Sequence, residues 1–236
     1  MNVVSVSLLL FPWMVLSVGC MSITPSTITR NQQSSNTEQP LRFLALGDSY
    51  TIGEAVDPSE RWPVQLADRL RRSGFPLSNP EIVAQTGWTT GELMTAIASA
   101  EPQGVFDLVS LLIGVNNQYR GRDIEEYRNE FASLLTQAVR FAGGGSEHVV
   151  VLSIPDWGVT PYAKGRDRGT IAREIDLFNS VNREEAQRAG VHYVDVTGVS
   201  RKAADDPLLL APDGLHPSGM MYEQWAMLVL AEMFPG

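Results

Sequence analysis

Three side chains of the sequence, Ser49, Asp213 and His216, are of the types that together carry out nucleophilic catalysis. A serine hydroxyl attacks well only when a base takes its proton, and an imidazole base works best beside a carboxylate that fixes its tautomer. Asp213 precedes His216 by three residues with Gly214 between them, so one tight turn can place carboxylate and ring side by side. This spacing favours Asp213 over Asp195, the alternative carboxylate.

Hydrogen-bond donors are also required, because an attacked carbonyl develops negative charge on its oxygen. The donor types expected are the backbone N–H of Ser49, an N–H from a glycine loop and a side-chain amide. Gly87 and Asn116 are the candidates for the last two, and Gly91 lies close enough to Gly87 to keep the choice of glycine open.

Short apolar runs alternate with longer amphipathic segments from residue 41 onward, which is the pattern of βαβ units around a parallel sheet. Strands are predicted at residues 41–46, 81–84, 107–113, 148–154 and 191–196. Helices are predicted at residues 62–72, 91–100, 124–141, 171–189 and 222–233. The predicted α/β fold is a three-layer α/β/α domain with a flavodoxin-like, five-stranded parallel sheet.

The predicted sheet separates the histidines into two groups, because ligands of such sheets bind at the carboxyl ends of the strands. Ser49 directly follows the first strand and lies at this edge. His148 and His192 begin the fourth and fifth strands and therefore belong to the opposite edge. His216, after the last strand, is the histidine that can reach Ser49.

Other residues at the same edge are predicted to have roles outside the chemical steps. Asp48 is expected to cap or brace the loop with its carboxylate. Residues 119–122, Tyr-Arg-Gly-Arg, are interpreted as a solvated loop, with a contact to a substrate phosphate or carboxylate as the alternative. Residues 156–158, Asp-Trp-Gly, are a candidate substrate wall.

Four short motifs follow one another along residues 41–236 and each lies near a predicted strand end or near the C-terminus. They are Gly47-Asp48-Ser49, Gly87-Trp88-Thr89-Thr90, Gly114-Val115-Asn116 and Asp213-Gly214-Leu215-His216. This series resembles the four blocks of the SGNH (GDSL-type) hydrolase superfamily. Tyr50 stands where the GDSL motif has Leu, and Asn117 stands where Asp usually follows the family Asn.

The resemblance implies a serine hydrolase that acts on ester bonds through an acyl-enzyme. It implies Ser49 as nucleophile, His216 as general base and then acid, and Asp213 as the orienting carboxylate. It assigns the oxyanion hole to the N–H groups of Ser49 and Gly87 and to the Asn116 amide. Neither a metal nor another cofactor is expected.

The expected substrates are carboxylic esters, because within the superfamily the chain most resembles lysophospholipase-like esterases. Acyl esters, acetyl esters and lysophospholipids belong to this class, and a carbohydrate O-acetylesterase is the alternative. A different class of function is a flavodoxin-like module that holds a cofactor phosphate in loop 47–51 without catalysis. That interpretation leaves Asp213 and His216 without a role.

The N-terminal segment predicts export. Residues 3–18 form an apolar run of signal-peptide length, and residues 1–19 are interpreted as the signal peptide. Residues 16–20, Leu-Ser-Val-Gly-Cys, resemble the lipobox of bacterial lipoproteins, which implies that Cys20 is acylated and anchors the mature chain. Residues 20–40 are then a flexible tether, and the protein is expected in the periplasm or at the cell surface, bound to a membrane.

Composition limits the remaining possibilities. The chain has 236 residues, of which 44% are hydrophobic, so residues 41–236 are expected to fold as one domain. Its net charge of −9 and its lack of a long Lys/Arg cluster argue against a nucleic-acid partner. A single cysteine excludes an internal disulfide and a thiolate metal site. The expected partner is a small-molecule or lipid ester bound by a monomer.

Overall fold

Five parallel strands form the central sheet of the computed structural model, which describes residues 40–234. The strands are β1 at Phe43–Gly47, β2 at Glu81–Ala84, β3 at Leu108–Leu112, β4 at Val149–Leu152 and β5 at His192–Val194. Their order in the sheet is β2-β1-β3-β4-β5, and all pairs are parallel. The predicted strands and their flavodoxin-like order are therefore confirmed.

The register of the sheet brings three loops to one edge. Gly47 at the end of β1 pairs with Ala84 on β2 and with Leu112 on β3. Because these three parallel strands end at the same level, the segments that follow them, starting at residues 48, 85 and 113, leave the sheet side by side. We call this edge the carboxyl edge.

Residues 40–234 contain eight α-helices, five of them long. They are α1 at Ser49–Ile52, α2 at Trp62–Arg72, α3 at Thr90–Ala100, α4 at Val115–Tyr119, α5 at Ile124–Phe141, α6 at Arg168–Ala189, α7 at Thr197–Arg201 and α8 at Gly219–Met233. Helices α2 and α5 have the predicted bounds. Helices α3, α6 and α8 begin one to three residues earlier than predicted, because the side chains of Thr89, Asp167 and Ser218 cap them there.

The helices cover both faces of the sheet, which confirms the three-layer architecture. Helix α2 packs against α8 on one face, and α5 packs against α3 and α6 on the other. Strands β1, β3 and β4 are buried along their whole length. Trp62 on α2 and Trp225 on α8 are fully buried, as are Tyr127 and Phe131 on α5. Two apolar layers thus hold the carboxyl edge in place.

The predicted signal peptide at residues 1–19, Cys20 and the tether up to residue 39 lie outside the described residues. Between residues 40 and 234, no helix combines the length and the apolar character needed to cross a membrane. The same residues contain no group of three or more His, Cys, Asp or Glu side chains placed to hold a metal ion.

Candidate active site

Ser49 is the first residue of α1, directly after β1. Asp48 caps this short helix, and its Oδ1 accepts a hydrogen bond from the N–H of Tyr50 at 3.0 Å. The helix ends after one turn at Gly53, whose N–H donates to the Ser49 carbonyl. Ser49 is held at the carboxyl edge and is only 4% exposed. The predicted capping role of Asp48 is confirmed.

His216 and Asp213 form a direct pair in the loop before α8. His216 Nδ1 lies 2.6 Å from Asp213 Oδ2, while the backbone N–H groups of Leu215 and His216 both donate to Asp213 Oδ1 at 3.0 Å. Ala211 N–H donates to the His216 carbonyl at 2.8 Å and closes the loop. The three-residue spacing in the sequence therefore produces the expected tight turn.

The environment of Asp213 favours its ionised form. Partial burial acts to raise the pKa of Asp213, but hydrogen bonds from the His216 ring and from the Leu215 and His216 amides outweigh burial and hold it below its usual value. An ionised carboxylate on Nδ1 leaves His216 Nε2 as the nitrogen that can accept a proton.

Ser49 and His216 lie on the same edge without a direct hydrogen bond. The ring of Tyr50, the residue after Ser49, lies 5.5 Å from the imidazole of His216 between centroids. Within residues 40–234, neither Ser49 Oγ nor His216 Nε2 takes part in a hydrogen bond. Asp195, the alternative carboxylate, binds elsewhere, because its side chain accepts from Thr197 N–H and contacts Arg183. The structure thus pairs His216 with Asp213 and not with Asp195.

The two predicted oxyanion donors outside α1 lie in neighbouring loops. Asn116 is the second residue of α4, and its Nδ2 donates to the Trp88 carbonyl at 2.9 Å. A primary amide carries two N–H bonds, so one remains for a ligand. Gly87 precedes Trp88 and has φ +88°, a conformation that other residues rarely adopt. Gly91, the other candidate glycine, lies within α3 and faces Glu130 on α5.

Asn117, which the sequence marked only as a departure from the family motif, joins two of the loops. Its Oδ1 accepts from Thr90 N–H at 3.1 Å, and its Nδ2 donates to Thr90 Oγ1 at 2.6 Å. Thr90 Oγ1 donates in turn to Glu130. This buried pair fixes the start of α3 against α4. Nothing in the sequence indicated the partner, which lies 27 residues away.

Two segments of this edge make contacts that the sequence did not indicate. Residues 119–122 are exposed, as expected of a solvated loop, and within them Arg120 donates to the Gly87 carbonyl at 2.6 Å and pairs with Glu92. Asp156 is 2% exposed and binds Arg201 at 2.9 Å, so its carboxylate is held in an ion pair. Trp157 is likewise buried and donates to Gln118 at 2.8 Å. These contacts hold the three side chains in place, and the prediction that residues 156–158 form a substrate wall stays a prediction.

Asp48 is a buried acid directly beside the nucleophile. It is 0% exposed, and its Oδ2 has no hydrogen-bond partner within the described residues. Burial raises the pKa of Asp48 to about 7, although hydrogen bonds from the Tyr50 and Asp48 backbone act in the opposite direction. The carboxyl group of Asp48 therefore keeps its proton to a much higher pH than an exposed aspartate does.

Comparison with solved structures shows the same fold over most of the chain. The chain resembles a structure of TesA with a TM-score of 0.65 and 21% identity, over 82% of this chain and 98% of that one. It resembles a lipase/acylhydrolase from Enterococcus faecalis with a TM-score of 0.61 and 20% identity, over 80% and 93%. An acetylxylan esterase from Geobacillus stearothermophilus gives a TM-score of 0.61 and 19% identity, over 83% and 95%.

Sequence comparison identifies the family. No curated protein sequence gives a significant match. The sequence model of the GDSL-like Lipase/Acylhydrolase family matches residues 45–224, which include Ser49 and the pair of Asp213 and His216. This match confirms the resemblance to GDSL-type hydrolases and indicates an enzyme that acts on ester bonds. The chain belongs to the GDSL-like lipase/acylhydrolase family.

Proposed function

We propose that the protein is a serine esterase that hydrolyses carboxylic esters through an acyl-enzyme on Ser49. The observation that carries this proposal is the hydrogen bond of 2.6 Å between His216 Nδ1 and Asp213 Oδ2, on the edge where Ser49 begins α1. An imidazole oriented in this way is the base that a serine nucleophile requires.

The proposed reaction has two steps, the acylation of Ser49 and the hydrolysis of the acyl-enzyme. His216 Nε2 takes the proton of Ser49 Oγ while Oγ bonds to the acyl carbon, and the carbonyl oxygen becomes an oxyanion. The oxyanion accepts hydrogen bonds from the N–H groups of Ser49 and Gly87 and from the free amide N–H of Asn116. The C–O bond of the ester then breaks, and the alcohol leaves with the proton from His216. Water repeats these steps on the acyl-enzyme and releases the acid.

A narrow cleft next to Tyr50, the residue after Ser49, supports a short acyl group. The cleft that Tyr50 shares with Trp157 and Leu215 contains only about 10 Å³ of free volume. This is room for about one water molecule. Acetyl and similarly short esters are therefore the proposed substrates, and a long-chain acyl group requires these side chains to move apart.

A larger cavity favours the carbohydrate-directed alternative for the alcohol side of the ester. The cavity has a volume of about 510 Å³ and begins at Trp88, whose carbonyl binds the Asn116 amide. An indole offers a face for sugar C–H groups, and carboxylates and guanidinium groups bind hydroxyls. The side chains that bring these groups to the cavity are Trp88, Glu92, Arg122 and Glu130.

A substitution on α3 tests this alternative. Thr95 lines the cavity, so Thr95→Trp should fill it and raise KM for a partly acetylated oligosaccharide by about tenfold. The same variant should hydrolyse p-nitrophenyl acetate at the wild-type rate. Ser99→Trp is the matched control, because Ser99 is also exposed on α3, one turn beyond the cavity. Equal effects of Thr95→Trp and Ser99→Trp would exclude the cavity as a sugar site.

The geometry argues against a cofactor-binding module. A phosphate site after β1 requires free backbone N–H groups. Here the N–H of Tyr50 donates to Asp48 Oδ1, and those of Thr51 and Ile52 donate to the Asp48 carbonyl. A partly ionised carboxyl at the same place would also repel a phosphate. A flavodoxin-like module would copurify with a coloured cofactor, whereas the proposed esterase would be colourless.

The direct test of the proposed esterase is a chain-length series. Purified protein is assayed on p-nitrophenyl acetate, butyrate, octanoate and palmitate, with Ser49→Ala beside the wild type. The proposal expects Ser49-dependent activity that is highest on the acetate. A preference for palmitate would instead support the lysophospholipase-like alternative. Activity that survives in Ser49→Ala would refute the assigned nucleophile.

We also propose that the protein is an exported lipoprotein anchored through Cys20. The apolar run at residues 3–18 and the motif that ends in Cys20 support this proposal. Cys20→Ser should release the protein from the membrane fraction, because no acyl chains can be attached. Retention of the Cys20→Ser protein in membranes would point to an uncleaved apolar anchor.

A further inference from the structure

Arg120 connects the two loops that carry the oxyanion donors. It follows the last residue of α4, the helix that presents Asn116, and its backbone N–H donates to the Asn116 carbonyl at 3.1 Å. Its side chain reaches back across the edge, where Nη2 donates to the Gly87 carbonyl at 2.6 Å. Its Nη1 lies 3.3 Å from a carboxylate oxygen of Glu92 on α3.

The loop of Gly87 is therefore bound to α4 through two successive carbonyls. The Gly87 carbonyl binds Arg120 at the end of α4, and the Trp88 carbonyl binds Asn116 in its first turn. These two hydrogen-bonded carbonyls hold the backbone of Gly87 in its left-handed conformation. The N–H of Gly87 is the donor assigned to the oxyanion hole. Such a donor is effective only when it is already in place as charge develops.

We propose that Arg120 is a positioning residue that holds the Gly87 N–H and the Asn116 amide in the geometry of the oxyanion hole. This inference rests on the proposed esterase function and adds a residue to it. Arg120 does not touch the reacting atoms. Its effect is on the transition state, and substrate binding is unchanged.

The side chain of Arg120 can be removed without loss of the fold. It is 40% exposed and its partner Glu92 is 46% exposed, and exposed ion pairs contribute little to stability. Arg72 provides a control: it is the last residue of α2, is also exposed, and does not line the cavity at Trp88. Its side chain makes no hydrogen bond or ion pair within the described residues.

The test compares Arg120→Met, Arg120→Lys and Arg72→Met on p-nitrophenyl acetate. Loss of one oxyanion donor costs roughly 10²- to 10³-fold in kcat, so a donor that is only loosened should cost about tenfold. Arg120→Met should lower kcat by that factor with KM changed less than about twofold. Arg120→Lys should recover part of the rate, because an ammonium group can still donate to the Gly87 carbonyl. Arg72→Met should match the wild type.

A transition-state analogue separates positioning from a general structural effect. A trifluoromethyl ketone forms a tetrahedral adduct with an oxyanion, so its Ki for Arg120→Met should rise by the same factor as kcat/KM falls. The inference is overturned if kcat of Arg120→Met stays within about twofold of wild type, if only KM changes, or if Arg72→Met has the same loss. The proposed function fails separately, if Ser49→Ala remains active.

Discussion

The buried carboxyl of Asp48 makes a prediction about how stability depends on pH. Asp48→Asn keeps the side-chain oxygen that accepts from Tyr50 N–H and keeps a good helix cap, but it cannot ionise. In the wild type, burial raises the pKa of Asp48 from 3.8 to about 7. Between these two values the folded protein keeps a proton that the unfolded chain has already released.

The sign and size of the effect follow from this difference. Because the folded state binds more protons between about pH 4 and pH 7, the wild type loses stability as pH rises through that window. A difference of about 3 pH units at 1.36 kcal/mol each gives a loss of about 4 kcal/mol, which persists at higher pH. Asp48→Asn does not incur this loss.

The prediction is tested by measuring the free energy of unfolding of wild type and Asp48→Asn in urea at a series of pH values. The two proteins should be about equally stable near pH 4, and the variant should be more stable by about 4 kcal/mol above pH 8. Other titrating groups are shared by the two proteins and cancel in the difference. A stability difference that is independent of pH, or a wild type that is as stable as the variant above pH 8, would refute the protonated state assigned to Asp48.

Three further substitutions test the site and its scaffold. Asn116→Ala should lower kcat by about 10²-fold or more, with an unchanged rate meaning that the amide is not an oxyanion donor. Asp213→Asn should also lower kcat by at least about 10²-fold, because backbone N–H groups hold the Oδ1 position and the amide NH₂ would face His216 Nδ1 and impose the wrong tautomer. Gly114→Ala should destabilise the fold by about 3 kcal/mol in urea unfolding, since φ is +127° and the new Cβ would collide with Tyr127. Wild-type stability of that variant would contradict the steric argument.

The parts of the structure that follow local rules were predictable from the sequence. The long helices α2 and α5 have an apolar stripe and clear ends, and they form at the predicted residues. The pair of Asp213 and His216 was predictable for the same reason, because three residues of chain determine whether the side chains meet. The order of the strands was predicted as the flavodoxin-like order, a common one for five parallel strands with helices on both faces, and the sheet has this order.

The contacts between loops were not predictable, because they depend on which strand ends become neighbours in the folded sheet. Arg120 binds the carbonyl of Gly87, which lies 33 residues earlier, and Asn117 binds Thr90 in the same way. Burial of Asp48 also required the fold, since the polar string around it resembles an exposed loop. The short helices α1, α4 and α7 have too few residues to show a helical period.

The most direct test of the central claim is covalent labelling of the nucleophile. The purified protein is treated with a p-nitrophenyl alkylphosphonate, which transfers phosphorus to an activated serine and releases p-nitrophenol, and the labelled peptide is identified by mass spectrometry. If Ser49 is the nucleophile, we expect one label per chain, on Ser49, with loss of esterase activity in proportion to labelling. We expect no label in Ser49→Ala. An active esterase that is labelled at another residue, or that keeps its activity when Ser49 is fully labelled, would contradict this assignment.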